Sequence, residues 1–317
     1  MLSRVADSLY WMSRYLERAE HTARVLDVNL HGMIDQQPDV LDQRWARVLR
    51  GLRTGPLGDA GDEHAIAHAL SFDAEIAASI VNSVSAARQN AREVREQIST
   101  DMWEQLNRLN LQVQNAGRTQ AWEGQEHAFF QTVKEGAYLF QGIADTTMSH
   151  EEGWHFIHLG RYLERVVATV NLLDAHFVDH RVDDPTGGDL FPEWVGLLKS
   201  CTAYEAYTRV HTANVLPEKV ATFLLLDPSF PHAVRFGMGM VRSALESLAE
   251  SAPALKQSGA LRLVGKTVSA LSFDPIEDIM AQGVHEYLTG IRDRCALIHD
   301  AVFAACIAYP IEFALTH

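Results

Sequence analysis

From Val5 onward the apolar and small residues fall at Val5, Leu9, Met12, Leu16, Ala19, Ala23, Leu26, Leu30 and Met33. Steps of four and three alternate without interruption, which puts these residues on one stripe of a helix; a strand would need alternation at every second residue. The spacing predicts a helix over residues 3–33. A stripe this long must be buried against another one, because an isolated helix gains little from propensity alone. Runs of the same period cover Ile76–Ile98, Met102–Val113, His127–Asp145, Val195–Tyr207, Ala233–Leu248 and Ile276–Ala308. Turn-forming stretches such as Thr54-Gly-Pro-Leu-Gly, Asp183-Asp-Pro-Thr-Gly-Gly and Asp227-Pro-Ser-Phe-Pro separate them. The expected fold is all-α, a helical bundle.

A second stripe repeats the first. Ser149-His-Glu-Glu152 has the form of a capping box and precedes Phe156, Leu159, Leu163, Val166, Val170, Leu173 and Phe177. Each lies 147 residues beyond its counterpart, from Leu9 and Phe156 through to Leu30 and Phe177. Residues 14–28 and 161–175 share eight identities in fifteen, including Arg-Tyr-Leu-Glu-Arg in both; random pairing at ordinary composition gives about one. A fainter echo pairs Asp73 with Asp227 and Arg88 with Arg242. The expectation is an internal duplication within a single unit of 317 residues. Its halves run over about 1–148 and 149–317, related by a pseudo-two-fold axis that brings the two Arg-Tyr-Leu-Glu-Arg helices together.

Charge and motifs narrow the function. With 27 Lys and Arg against 41 Asp and Glu, the net charge of −14 offers no general attraction to nucleic acid or to an anionic membrane surface. The longest apolar run, Ala301 to Ile311, is far below the roughly 20 residues of a membrane span. The first residues lack the apolar centre of a secretory signal, and the three cysteines form no Cys-x-x-Cys, so a cytoplasmic location is expected. Gly259 to Thr267 falls one residue outside the spacing of a phosphate-binding loop and has no strand before it. No Gly-x-Ser-x-Gly occurs. Glu152-Gly-Trp-His155 with His158, and His176 with His180, have partial metal-ligand spacing, but a second Glu-x-x-His and a zincin glutamate are both missing. Neither a metal nor a cofactor is expected.

With both repeats in view, six blocks in order resemble the alpha-E family of bacterial helical proteins. They are Ala6-Asp-Ser-Leu-Tyr-Trp-Met-Ser-Arg-Tyr-Leu-Glu-Arg-Ala-Glu20; Ser85 to Ile98 with Met102-Trp-Glu104; Glu152-Gly-Trp-His-Phe-Ile-His-Leu-Gly-Arg-Tyr-Leu-Glu-Arg165; Tyr204-Glu-Ala-Tyr207; Phe223-Leu-Leu-Leu-Asp227; and Gln282-Gly-Val-His-Glu-Tyr-Leu288. Ser13 departs from the glycine usual there, which the second repeat keeps as Gly160. The resemblance implies a domain typically encoded beside a circularly permuted ATP-grasp ligase and a transglutaminase-like protein. Those are the expected partners, in a system that forms or modifies peptides.

The charged ladder beside the first stripe is the most specific chemical feature. Arg14, Glu17, Arg18, His21 and Arg24 are spaced so that three- and four-residue neighbours share a side of the helix, and Glu20 reaches Arg24. Arg161, Glu164 and Arg165 recur in the second repeat, where Glu20, His21 and Arg24 become Val167, Ala168 and Asn171. A two-fold arrangement would direct Glu17 toward Arg161 or Arg165, and Glu164 toward Arg14 or Arg18, in one cluster between the halves. Two functions follow. In the first, a non-ATP-binding component of a peptide ligase or peptide-modifying system docks its partner enzyme or peptide on the Arg/Glu face. In the alternative, an acid–base enzyme uses Glu17 or Glu20 with Arg24 on a carboxylate-bearing substrate. His285 and Glu286 form a secondary acid–base candidate on the last long helix.

Overall fold

The computed structural model describes residues 1, 3–31, 38–55, 57, 63–118, 122, 124–178, 191–212 and 214–307. The elements in chain order are α1 (Ser3–His31), α2 (Pro38–Gly51), α3 (Glu63–Phe72), α4 (Ile80–Glu93), α5 (Thr100–Arg118), α6 (Glu126–Thr147) and α7 (Glu152–Phe177). They continue with α8 (Phe191–Ser200), α9 (Tyr204–His211), α10 (Pro217–Leu226), α11 (Val234–Ser251), α12 (Pro253–Gln257), α13 (Ala260–Phe273), α14 (Ile276–Gln282) and α15 (Val284–Val302), closed by a π-helical turn at Phe303–Ile307. Among the described residues there is no strand, and no helix is long and apolar enough to cross a membrane.

The stripe of α1 does what its spacing demands. Leu9, Met12, Leu16, Ala19, Ala23 and Leu26 are all buried, with α4 and α6 packed on the helix. α5 packs on α4 and α6 to complete a four-helix bundle. The same order of neighbours recurs: α7 packs on α11 and α15, and α13 packs on both of those. α1 and α7 form the joint between the bundles, while α2 packs on α7 and α8 on α1. Each central helix is therefore covered on its polar side as well as its apolar one.

At the joint, the two backbones meet at Ser13 and Gly160. A Cβ on Gly160 would run into the carbonyl oxygen of Tyr10 and the Ser13 hydroxyl. Ser13 fits because its Oγ donates to that same carbonyl at 2.8 Å.

Local breaks depart from the expected helix limits. Asp73 accepts from the Glu75 amide in a turn, and α4 starts only at Ile80, where the Ser79 side chain accepts from the Asn82 amide. The run Val195–Tyr207 is divided by Cys201–Ala203, with Thr202 at φ 51°. Ile276–Ala308 is divided at Gly283, whose φ of 107° suits a residue without Cβ; Ala308 lies outside the described residues. The capping box does not form: Glu151 is the N-cap of α7, without a side-chain hydrogen bond. Lys266 and Thr267, the end of the loop-like glycine pattern, sit inside α13.

Candidate functional site

The charged ladder of α1 lies in the interior. Glu17 is 1% exposed, Glu20 1%, Arg24 3%, Glu164 7% and Arg165 8%, because α6, α7 and the α8 end close over them. Arg165 donates from Nε to Glu17 Oε1 at 2.5 Å and from Nη2 to Oε2 at 2.9 Å, and Gln141 of α6 adds a 3.3 Å bond to Oε2. Glu164 is held by two arginines across the joint, Arg14 Nε and Arg18 Nε, each at 2.7 Å. Burial pushes the Glu164 carboxyl upward, but Arg14 and Arg18 together bring it below its ordinary value.

Arg161 stands apart from this lattice. Its Nη2 donates to the Tyr162 hydroxyl at 2.9 Å, its guanidinium lies over the Tyr162 ring, and its Nε is buried without a partner. Among the described residues it forms no ion pair, and the other five members fall into two groups, Glu17 with Arg165 and Glu164 with Arg14 and Arg18, in place of the one connected cluster expected. Glu17 takes Arg165 and Gln141, and Glu164 takes Arg14 and Arg18.

Glu20, His21 and Arg24 form a second buried group. Arg24 Nη1 donates to both Glu20 oxygens at 2.8 and 3.0 Å, while its Nε donates to the Ser200 carbonyl at 2.7 Å. Tyr138 of α6 donates to Glu20 Oε1 at 2.9 Å. Burial raises the Glu20 carboxyl, against the pull of Arg24. His21 is pulled down to about 3 by burial and then by Arg24. Since a guanidinium only donates, Arg24 Nη2 at 3.3 Å makes His21 Nδ1 the acceptor and places the imidazole proton on Nε2. That Nε2 is buried and without a partner. His232, 3.5 Å from Arg24 Nη1, is likewise lowered by burial first and Arg24 next.

These placements correct the picture of an exposed Arg/Glu face. Part of the ladder borders a cavity of about 510 Å³ at the joint. Arg14, Arg18, His21, Glu164 and Asn171 line it from α1 and α7, and Arg53 enters from the turn after α2. Asn171 Oδ1, like His21 Nε2, is buried and unpartnered. Among the described residues its charged lining is three arginines and one glutamate, which with His21 neutral gives a net charge of +2 in a chain whose total is −14. Glu20, Arg24 and Glu17 do not line it.

His285 and Glu286 are not a pair. His285 Nδ1 contacts Asp174 Oδ1 at 2.5 Å, and Arg292 Nη1 holds Asp174 Oδ2 at 3.2 Å. Glu286 faces outward, as adjacent helix positions diverge by about 100°. His158 contacts Asp145 at 3.0 Å and stacks on Trp154, and burial lowers it to about 4. His180 lies outside the described residues. Tyr138, Gln141 and His232 were invisible to helix spacing because they arrive from α6 and from the turn before α11. Asp27 and Asp174 carried a signal, since they are identical in the two repeats.

The family model Alpha-E, described as a predicted alpha-helical domain with a conserved ER motif, matches residues 1–305. In this chain Glu-Arg stands at 17–18 and 164–165, the positions that cross-pair between α1 and α7. An uncharacterized protein of Mycobacterium bovis is 25% identical over 332 residues, and one of Mycobacterium tuberculosis is 24% identical over the same length. Each alignment covers 97% of this chain but 37% of the relative. The chain thus spans little more than a third of the length of these relatives. No solved structure matches it.

Proposed function

We propose, from the premise that this chain belongs to the Alpha-E family, that it is the non-ATP-binding helical component of a peptide ligase or peptide-modifying system. Its role there is to hold a peptide carboxylate in the joint cavity for a circularly permuted ATP-grasp partner, with a transglutaminase-like protein in the same system. The observation that carries this reading is the charge of the cavity, where among the described residues Arg14, Arg18 and Arg53 face one carboxylate, Glu164. Both Glu164 oxygens are taken by the Nε atoms of Arg14 and Arg18, so the Arg18 Nη groups and Arg53 remain to receive a second carboxylate. His21 Nε2–H and Asn171 Oδ1 supply one donor and one acceptor beside them. A ligase of this class consumes a carboxylate, and a subunit that positions one needs no nucleotide site of its own.

The acid–base alternative has less support. Glu17 and Glu20 are each 1% exposed, and each already accepts from an arginine and from a residue of α6. We further infer that the two bundles are copies of one unit, a reading supported by the matched order of helix neighbours and by the reciprocal pairs Glu17–Arg165 and Glu164–Arg18.

The test is titration of the chain with glutamate-rich peptides, followed by tryptophan fluorescence with Trp11→Phe as the control that removes the ring 4.8 Å from Arg14. Binding at least tenfold weaker in Arg53→Gln, together with co-purification of the ATP-grasp partner, is expected. Absence of peptide binding by the wild type would remove the proposal. Turnover by the isolated chain, lost in a folded Glu17→Gln variant, would establish the alternative.

A further inference from the structure

We infer that Asp27, His31 and His127 form a binding site for a divalent transition-metal ion of the zinc type, at the far end of α1 from the Ser13–Gly160 crossing. The site is separate from the joint cavity and does not depend on the role proposed for it.

The three groups converge from two helices. Asp27 Oδ1 lies 2.7 Å from His127 Nδ1 of α6 and 3.3 Å from His31 Nδ1, one turn further along α1. Ligand atoms taken one from each residue all fall within 4.8 Å of one another. A tetrahedral zinc with bonds of about 2.0–2.1 Å separates neighbouring ligand atoms by roughly 3.3 Å, so small rotations of two imidazoles suffice. Both side chains are exposed enough to make them, at 57% and 60%, whereas Asp27 is buried at 8%; His31 Nδ1 would exchange its 2.9 Å contact with the Asp27 backbone carbonyl for the metal. Lys134 Nζ holds Asp27 Oδ2 at 2.6 Å. That contact fixes the carboxylate plane and leaves Oδ1 as its single coordinating oxygen, the usual work of a residue behind a metal ligand. Two imidazoles and one carboxylate suit zinc, iron, cobalt or nickel and not the all-oxygen preference of magnesium or calcium. The three residues also line a cavity of about 480 Å³, so the remaining coordination positions open onto space for water or an anionic ligand.

The second bundle provides an internal comparison. There Asp174 is bracketed by His285 and Arg292 of α15, as Asp27 is by His127 and Lys134 of α6; in both cases the two partners are seven residues apart. A carboxylate between an imidazole and a cation is thus enough to tie a central helix to its neighbour. The residue four beyond Asp174 is Val178, where the first bundle has His31. His31 adds nothing that the tie in the second bundle requires, and it is the residue that raises the ligand count to three.

The test is titration of the full chain with Zn(II) alone, in competition with a chromogenic chelator. The variants are His31→Val, which copies the second bundle, and His127→Gln, with His285→Gln as the control. The wild type and His285→Gln are expected to bind one equivalent more than the other two variants, with at least a tenfold loss of affinity at that site. Co(II) in the same site should give weak visible bands without a thiolate charge-transfer band. Sites shared by all four proteins cancel, and both histidines are exposed, so circular dichroism should show unchanged folding. Equal zinc binding by the wild type and His31→Val overturns the assignment, as does a wild type that binds none.

Discussion

Arg165 of α7 grips both oxygens of Glu17 on α1, at 2.5 and 2.9 Å, inside a joint where Glu17 is 1% exposed. A bidentate pair of this kind ties two helices in one register. Removing one partner leaves the other charge buried without compensation, at a cost of about 3–5 kcal/mol. Glu17→Ala should therefore lower the unfolding free energy by about that amount in urea titrations. The double variant Glu17→Leu with Arg165→Met should lose much less, because no charge is left behind. Equal losses in the two proteins would refute the account.

Gly160 makes a second prediction. A methyl group there meets the Tyr10 carbonyl, which belongs to a helix backbone and cannot rotate away. Gly160→Ala should destabilise by about 1–3 kcal/mol, although alanine is the better helix former by about 1 kcal/mol. A thermal melt that rises on this substitution would show that the helices are not in contact at this point.

Acid should weaken the fold well before its carboxylates titrate. His21, held down to about 3 by burial and Arg24, and His232, lowered in the same way, bind fewer protons folded than unfolded below the ordinary histidine value of 6.5. Their contribution is present above 6.5 and is lost as pH falls toward the folded values. Each supplies a slope of up to about 1.4 kcal/mol per pH unit. Glu20, raised by burial, acts with the opposite sign above its ordinary value, so it offsets only part of the two histidine contributions. Unfolding free energies measured from pH 7 to pH 4 should fall steadily, and His232→Gln should flatten the slope. An unchanged slope in that variant would rule out His232 as a source.

Thiol chemistry provides a fourth check. Burial raises Cys201 and Cys295 to about 12, and both are enclosed, while Cys306 is half-buried in the π-helical turn. An aromatic disulfide reagent should label Cys306 first in the native protein and reach the other two only on unfolding. Rapid native labelling of Cys201 would contradict the packing of α8 on α1.

The stripe from Leu9 to Leu26 was legible from spacing because helical period is a property of one continuous segment, whatever lies beside it. The pairing of Glu17 with Arg165 and Glu164 with Arg18 was legible for a related reason, since the same charges stand at the same angle to two matching stripes. Local residues also placed the turn at residues 227–231, while residues 183–188 lie outside the described residues; they did not place the breaks at Thr202 and Gly283, where single residues with positive φ interrupt otherwise helical runs. Whether the polar side of α1 faces water or protein was decided only by the tertiary structure. α7, well over a hundred residues away, covers that side, while α6 delivers Tyr138 and Gln141 and the turn before α11 delivers His232 to charges that spacing alone leaves exposed. The same limit hid the Asp27–His31–His127 group: its third member comes from α6, so no local spacing records it. Periodicity describes what one helix offers, but burial, ion-pair choice and ligand convergence depend on which helices meet.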